Sequence, residues 1–550
     1  MEKEKVSLLK KIDFPIFLPP AIILLMFTLI GIIAPEAFNK GASVAFNFTT
    51  KYFSWFYALG ASFLVLFCLW AGFSKYGKIK LGGKDAKPDM SFFSWFAVAL
   101  TSGIAIGIVY WGVAEPLNNL MAPPGFTGWE AGSTDAAEGA LKFNFLHWGL
   151  HPYGIYTAAG LCCAFIIMNG KRRFSITSSL YPLLGNKCEG IWGKVVSAIC
   201  IFAILGGMGT SLGFGVSQFG VGVNYVFGTN FTDISLAIFF IGVLVICTIG
   251  ASCSGLHKAI THVSNANMYI YFALMIWAFI FGGTLFILNN TTSAIGQYFS
   301  FIIPESFYLE PVKQTGWVGG WSIFYWAWWL SFAPIVGLFL IKLAKGRTIR
   351  QFVLVNLVAP TLFAVVWFGI FGSSAINFQL NGSDIFSVIS EWGNSVALFA
   401  YVKNLPLTPI LFGLVFLAII FSLLTLSESM TLTLSDMSMK PKYLGEEGDP
   451  KASPSALKVF WGILMGLVAF VLLVSGGLGA LQTASVVCGL PILLIQLIMA
   501  AAYIKSVRQR SRYDMTLTDE ERAALEAEEM ENAEEKKSKK KRKKAEQASA

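Results

Sequence analysis

The chain has 550 residues, of which 55% are hydrophobic and only 13% charged, with 48 Phe and 16 Trp. That balance excludes an ordinary water-soluble fold and describes an all-α polytopic membrane protein, because apolar surface on this scale needs lipid around it. The net charge of +9 does not imply nucleic acid, since much of it sits in one run, Lys536 to Lys544.

About a dozen apolar runs, each near the roughly 20 residues that span hydrocarbon, lie at 14–34, 54–73, 92–113, 146–168, 195–218, 233–250, 268–288, 322–343, 352–374, 407–429, 458–479 and 483–504. Residues 1–13 precede the first run, which lacks a small-residue cleavage site and reads as a retained span. Basic residues fall in alternate loops: Lys75, Lys78, Lys80, Lys84 and Lys87, then Lys171, Arg172 and Arg173, then Lys342, Lys345, Arg347 and Arg350, then Lys440, Lys442 and Lys451. The positive-inside rule puts these loops and both termini in the cytoplasm of a multi-pass cell-membrane protein, as an even number of spans requires. Eight cysteines are scattered without zinc-like spacing and read as reduced residues in packed helices.

The third run is rich in small residues. Gly103 and Gly107 are four apart with Ala105 between, which exposes backbone to a neighbouring helix, a ligand or an ion. Glu115, just before Pro116, reads as a cap at the outer end of this helix. The fourth run opens HWGLHPYGIY, with Trp148, Tyr153 and Tyr156 on a helix that Pro152 is expected to loosen. His147 and His151 have metal-like spacing, but no nearby acid or thiol completes a set, so no metal is expected.

The eighth run, WSIFYWAWWLSFAPIVGLFLIKLAKGRTIR, places six aromatic side chains in its first nine residues. Trp321 and Phe324 suit an interfacial aromatic belt. Trp328, Trp329 and Phe332 lie deeper than a belt needs to reach, and indole faces are the best cation–π surfaces a protein has. The implied cargo is a cation. Facing rings from the fourth run would close a cage of the kind that holds quaternary ammonium groups, which cannot donate hydrogen bonds. In the tenth run, Glu428 is an intramembrane carboxylate, and it reads as an interior salt bridge or hydrogen bond near the cytoplasmic gate, with proton carriage as the alternative.

Beyond the last run, residues 506–550 form a charged tail. Thr518 and Glu521 make a capping-box pattern, so a short acidic helix followed by a basic one is expected, against the alternative of a solvated, partly disordered tail. The basic run meets anionic membrane lipids first, and the opposite-sign blocks suit a switch that responds to salt or lipid.

Three segments, GIVYWGVAEPL at 107–117, HWGLHPYGIY at 147–156 and FYWAWWLSFAPIVGLFLIKLAKGRTIRQF at 324–352, resemble the betaine/carnitine/choline transporter family, and the span pattern extends that likeness over nearly the whole chain. The resemblance implies twelve transmembrane helices: two peripheral ones within residues 14–91, and a ten-helix transport core at 92–505 built as two inverted five-helix repeats, helices 3–7 and 8–12. It also implies a homotrimer, and a small quaternary-ammonium substrate held near the midplane between the first helices of the repeats. Carried over by position, Trp148, Tyr153, Tyr156, Trp328, Trp329 and Phe332 match the aromatic box, and Gly103, Ala105 and Gly107 the glycine-rich strip. Tyr153 and Phe332 stand where betaine carriers of the family usually have Trp, and Ala105 replaces the central glycine.

Sodium-driven relatives use helix 3 backbone, here Thr101 to Ile104, with adjacent hydroxyls on helix 10. Here Thr425 is followed by Leu426, leaving Ser422 or Ser429 as substitutes. Sodium-independent exchangers instead carry a basic side chain on helix 7 and a Met on helix 8. This chain has Asn265, Asn267 and Met268 on the one and Val336 on the other, so neither branch is matched cleanly. The balance favours symport coupled to Na+ or H+, with no other cofactor. Exchange is the alternative, and a transport-like osmosensor a further one. No repeated filter motif suggests a channel, and four histidines without convergent partners argue against an enzyme.

Overall fold

A computed structural model of the chain describes residues 7–92, 95–96, 106–254, 257–443 and 453–548. Among these residues the regular structure is helical throughout, apart from isolated backbone bridges between Ile12 and Met439 and between Lys80 and Thr348. Lipid imposes this, because a spanning backbone must satisfy its N–H and C=O groups internally. The principal helices are α1 (Phe14–Ile33), α2 (Pro35–Phe73), α3 (Ile106–Met121), α4 (Thr134–Trp148), α5 (Leu150–Ala164), α6 (Ile191–Phe227), α7 (Asp233–Ser254), α8 (His257–Phe281), α9 (Thr284–Phe307), α10 (Phe324–Lys342), α11 (Ala359–Leu380), α12 (Thr408–Met437), α13 (Ser455–Arg508) and α14 (Asp519–Ala548). Ten helical stretches among the described residues are long and apolar enough to cross a membrane. The expectation for Gly103, Ala105, Thr101 and Ile104 falls outside the described residues.

Several boundaries differ from the sequence expectation. The fourth run starts earlier and breaks at Gly149 rather than at Pro152, and the Tyr298 hydroxyl of α9 accepts from the N–H of Leu150 at 3.1 Å where the chain resumes its helix. The seventh run stops at Phe281, because Gly283 has φ 92°, and α9 follows as a helix of its own. The last two runs are joined in α13, which turns at Gly477, where φ is 53°. A positive φ at these two points favours glycine over any residue carrying a Cβ. The tail is one helix, α14, not two. Its N-terminus carries the expected capping box, with Glu521 N–H donating to the Thr518 hydroxyl at 3.2 Å and Thr518 N–H donating to the Glu521 carboxylate at 3.1 Å. That backbone bond, helped by Lys84, holds the Glu521 carboxyl below the usual glutamate range.

The basic loops share one end of the bundle. Leu81 N–H donates to Arg347 O at 2.9 Å, Asn169 bridges Gly82 N and Lys80 O, and Met515 N–H donates to Asn169 O at 2.8 Å. At the same end Lys440 N–H donates to Lys11 O, and Lys194 pairs with Asp13 at 3.1 Å. The tail is rooted here through Asp514, which is fully buried and accepts from Arg510 Nε at 2.8 Å. Beyond that root, α14 is held to the loop after α2 by exposed ion pairs, Lys75 with Glu528 at 2.9 Å and Lys84 with Glu521 at 3.6 Å.

At the centre, α10 packs against α5, α6 and α13. It meets α5 closely at Gly337, where an added Cβ would lie 2.9 Å from Ala159 Cβ and 3.0 Å from the Gly160 nitrogen. Only hydrogen fits there, so the two helices that carry most of the aromatic cluster touch backbone to backbone. Gly337→Val should therefore cost about 1–3 kcal/mol through overpacking, read as a lower thermal midpoint of the purified protein. Gly413→Ala, inside α12 at a site with nothing within 4 Å of the new Cβ, should not lower the midpoint.

Candidate ligand-binding site

Three helices bring the expected rings together. Trp148 ends α4, Tyr153 and Tyr156 lie on α5, and Trp328 and Trp329 lie on α10. Trp329 is the hub: its ring centroid is 5.9 Å from Trp148, 5.2 Å from Tyr153 and 4.7 Å from Tyr156, at interplanar angles of 80°, 70° and 54°. The first two pairs are edge-to-face and the third tilted, geometries that suit the aromatic quadrupoles. Trp328 stands 6.3 Å from Trp148 at 82°, and its indole N–H donates to Ser211 of α6 at 3.1 Å. All five rings are buried. Gly107 of α3 meets the same cluster, since an added Cβ would come within 2.9 Å of Cη2 of both Trp148 and Trp328. Phe332 is also buried but faces Gly207 of α6, where a Cβ would lie 3.1 Å from its Cε2.

The structure adds rings that no motif announced. Phe368 of α11 lies 5.0 Å from Trp148, and Phe214 of α6 lies 5.2 Å from Trp328. Phe214 and Tyr110 also line a cavity of about 470 Å³ beside the cluster, bounded by Ser217, Ser395 and Trp392. Its polar wall is a chain of hydroxyls, with Tyr110 to Ser395 at 3.2 Å and Ser395 to Ser217 at 2.7 Å. The volume falls within the range of small-molecule sites, roughly 300–1,000 Å³.

Three expectations need correction. Glu115 does not cap the outer end of α3: it is fully buried, 2.6 Å from His147 Nδ1, and accepts from Trp148 Nε1 at 2.8 Å. His147 therefore has an acidic neighbour after all, contributed from α3, while its Nε2 is 2.9 Å from the Ser322 hydroxyl. His151 turns elsewhere, stacking on Trp326 at 4.9 Å. The two histidines thus face different partners and do not converge. Phe324 is not interfacial, being fully buried and stacked on Trp328 at 5.7 Å and 14°.

On α12, the Ser422 hydroxyl donates to Ala418 O at 2.5 Å, is paired with the Tyr271 hydroxyl at 2.5 Å, and accepts from Asn267 at 3.0 Å. One donor and two acceptor sites are all that a hydroxyl has, so Ser422 is fully engaged by its own helix and α8. The Thr425 hydroxyl is buried and has no hydrogen-bond partner among the described residues. Glu428 is buried, with the charge of Lys458 from α13 acting on it, and Lys458 donates to Ser252 O at 2.9 Å.

A helical bundle that crosses the membrane many times and encloses buried aromatic faces next to a cavity defines a membrane transporter by class. The profile described as BCCT, betaine/carnitine/choline family transporter, matches residues 15–512, and the chain belongs to that family of transporters, not to the enzymes. Among similar proteins, a probable glycine betaine transporter of Desulfitobacterium hafniense is 36% identical, over 91% of this chain and 98% of its own length. The glycine betaine transporter OpuD of Bacillus subtilis is 37% identical, over 88% and 92% respectively. An ectoine/hydroxyectoine transporter of Virgibacillus pantothenticus is 36% identical, over 89% and 96%.

Trp329→Ala removes the ring shared by three contacts. The affinity for a quaternary-ammonium probe, measured by calorimetric titration of purified protein, should fall by the equivalent of about 0.5–2 kcal/mol of cation–π attraction. An unchanged affinity would remove Trp329 from the site.

Proposed function

We propose that this protein takes up a quaternary-ammonium compound of the glycine betaine, choline or carnitine type by alternating access, coupled to a cation gradient. The observation that carries the reading is the buried ring set of Trp148, Tyr153 and Tyr156 gathered around Trp329, with Trp148 beside Gly107. Aromatic faces attract a cation that has no hydrogen to donate, and they do so best when water is excluded. Relatives named as glycine betaine transporters, aligned over almost their whole length, support a zwitterionic methylammonium substrate. The hydroxyl wall of Tyr110, Ser217 and Ser395 suits the carboxylate end of such a molecule on its way to the rings.

For coupling, the unpartnered Thr425 hydroxyl supports a cation ligand on α12. Substrate exchange without an ion is the second reading, favoured by one observation: Ser422, one of the two substitutes for the hydroxyl that Leu426 replaces, is already saturated by Asn267, Tyr271 and Ala418. The reading extends to twelve spans in two inverted repeats, assembly as a homotrimer, and a cell-membrane location with the basic end of the bundle in the cytoplasm. There the run Lys536 to Lys544 would gain about 1 kcal/mol per basic residue from anionic headgroups.

Uptake of labelled glycine betaine, choline and carnitine into proteoliposomes tests this. Accumulation driven by an inward sodium or proton gradient is expected, and Thr425→Val should abolish the drive while sparing substrate binding. Uptake only into vesicles preloaded with substrate would establish exchange, and no uptake of any of the three would overturn the proposal.

A further inference from the structure

Glu115 is a fully buried carboxylate whose two oxygens are divided between two neighbours. Oε1 shares a 2.6 Å hydrogen bond with His147 Nδ1, and Oε2 accepts the Trp148 indole N–H at 2.8 Å. His147 is fixed in turn by the Ser322 hydroxyl at 2.9 Å and by the Tyr325 ring, stacked at 4.9 Å and 23°. Trp148 is the last residue of α4, next to the break at Gly149, so its backbone is held by helix on one side only. The carboxylate is the anchor at the far end of the side chain.

We propose that Glu115 is a positioning residue that acts through Trp148, setting the electron richness of the indole face presented to the ligand's ammonium group; this rests on the function proposed above. A carboxylate accepting from an indole N–H makes a charge-assisted bond. It also pushes electron density into the ring, and cation–π attraction follows the negative potential of that face. Trp148 is the ring through which the effect reaches the ligand site, since it touches Trp328, Trp329 and the strip at Gly107. Glu115 itself is turned towards the indole N–H and His147, so it acts through Trp148.

The test compares two ligands of one shape on purified full-length protein: glycine betaine and 3,3-dimethylbutanoate, in which carbon replaces the ammonium nitrogen. A purely structural role for Glu115 weakens both equally, whereas tuning of the indole face weakens only the ammonium. Glu115→Gln keeps the volume and an acceptor oxygen while removing the charge. It should weaken glycine betaine binding about two- to threefold, a fraction of a full cation–π contribution, and leave the dimethylbutanoate affinity nearly unchanged. In a Trp148→Phe background, which lacks the N–H, Glu115→Gln should then have no further selective effect. Glu115→Asp, which keeps the charge but withdraws it from Nε1, should show the same selective loss and decides the matter if the Gln variant does not assemble.

Equal loss for both ligands, or a selective loss that persists in Trp148→Phe, overturns the inference while leaving the proposed function standing. If the wild-type protein itself does not prefer glycine betaine to dimethylbutanoate, the underlying reading fails and this one with it.

Discussion

The contact between Gly337 of α10 and Ala159–Gly160 of α5 is the constraint on which the site depends. Two helices whose backbones touch hold their side chains at fixed offsets, so Tyr153 and Tyr156 on one and Trp329 on the other meet at ring distances of 4.7–5.2 Å without any hydrogen bond to direct them. The remaining walls are added around this pair: α3 offers the glycine that lets two indoles approach, α6 offers the hydroxyl that fixes Trp328, and α4 offers Trp148 from the lip of a helix break. Dispersion and quadrupole interactions are weak singly, and it is the close-packed frame that makes them directional.

The buried charged groups on α3 and α4 are satisfied locally. Glu115 divides its oxygens between His147 and Trp148. Lys142 is the most instructive case. Its ammonium lies 3.1 Å from Glu305 and sits over the rings of Trp129, Phe143 and Phe301 at 5.2, 4.8 and 4.5 Å. The chain thus already holds one ammonium of its own among aromatic faces. Arg347 repeats the pattern at the basic end of the bundle, 4.9 Å over Trp95.

Much of this was legible in the sequence, and the gaps have physical causes. Apolar runs of span length and alternating basic loops report the solvent directly, so the helical bundle and its shared basic end follow from composition. The rings at 148, 153, 156, 328 and 329 stood out because Trp and Tyr deep in a span have no interfacial purpose. Phe368 and Phe214 did not, since a lone Phe in an apolar helix looks the same whether it lines a site or faces lipid. Glu115 was visible but misassigned: its partners are 32 and 33 residues away, a distance no local pattern bridges. The separate helix Thr284–Phe307 was hidden by the Gly282–Gly283 pair, which interrupts a helix without changing its hydropathy.

The buried carboxylate also bears on how the protein enters the bilayer. A carboxylate left without a partner on an inserting helix is costly in hydrocarbon, so α3, whose Glu115 is fully buried within the bundle, gains from a partner at insertion. The groups that relieve it, His147 and Trp148, arrive together at the end of α4, the next helix to be synthesised. Biogenesis is therefore cheapest when α3 and α4 pass into lipid as a hairpin, with the carboxylate hydrogen-bonded by His147 and Trp148 before either helix is released to hydrocarbon.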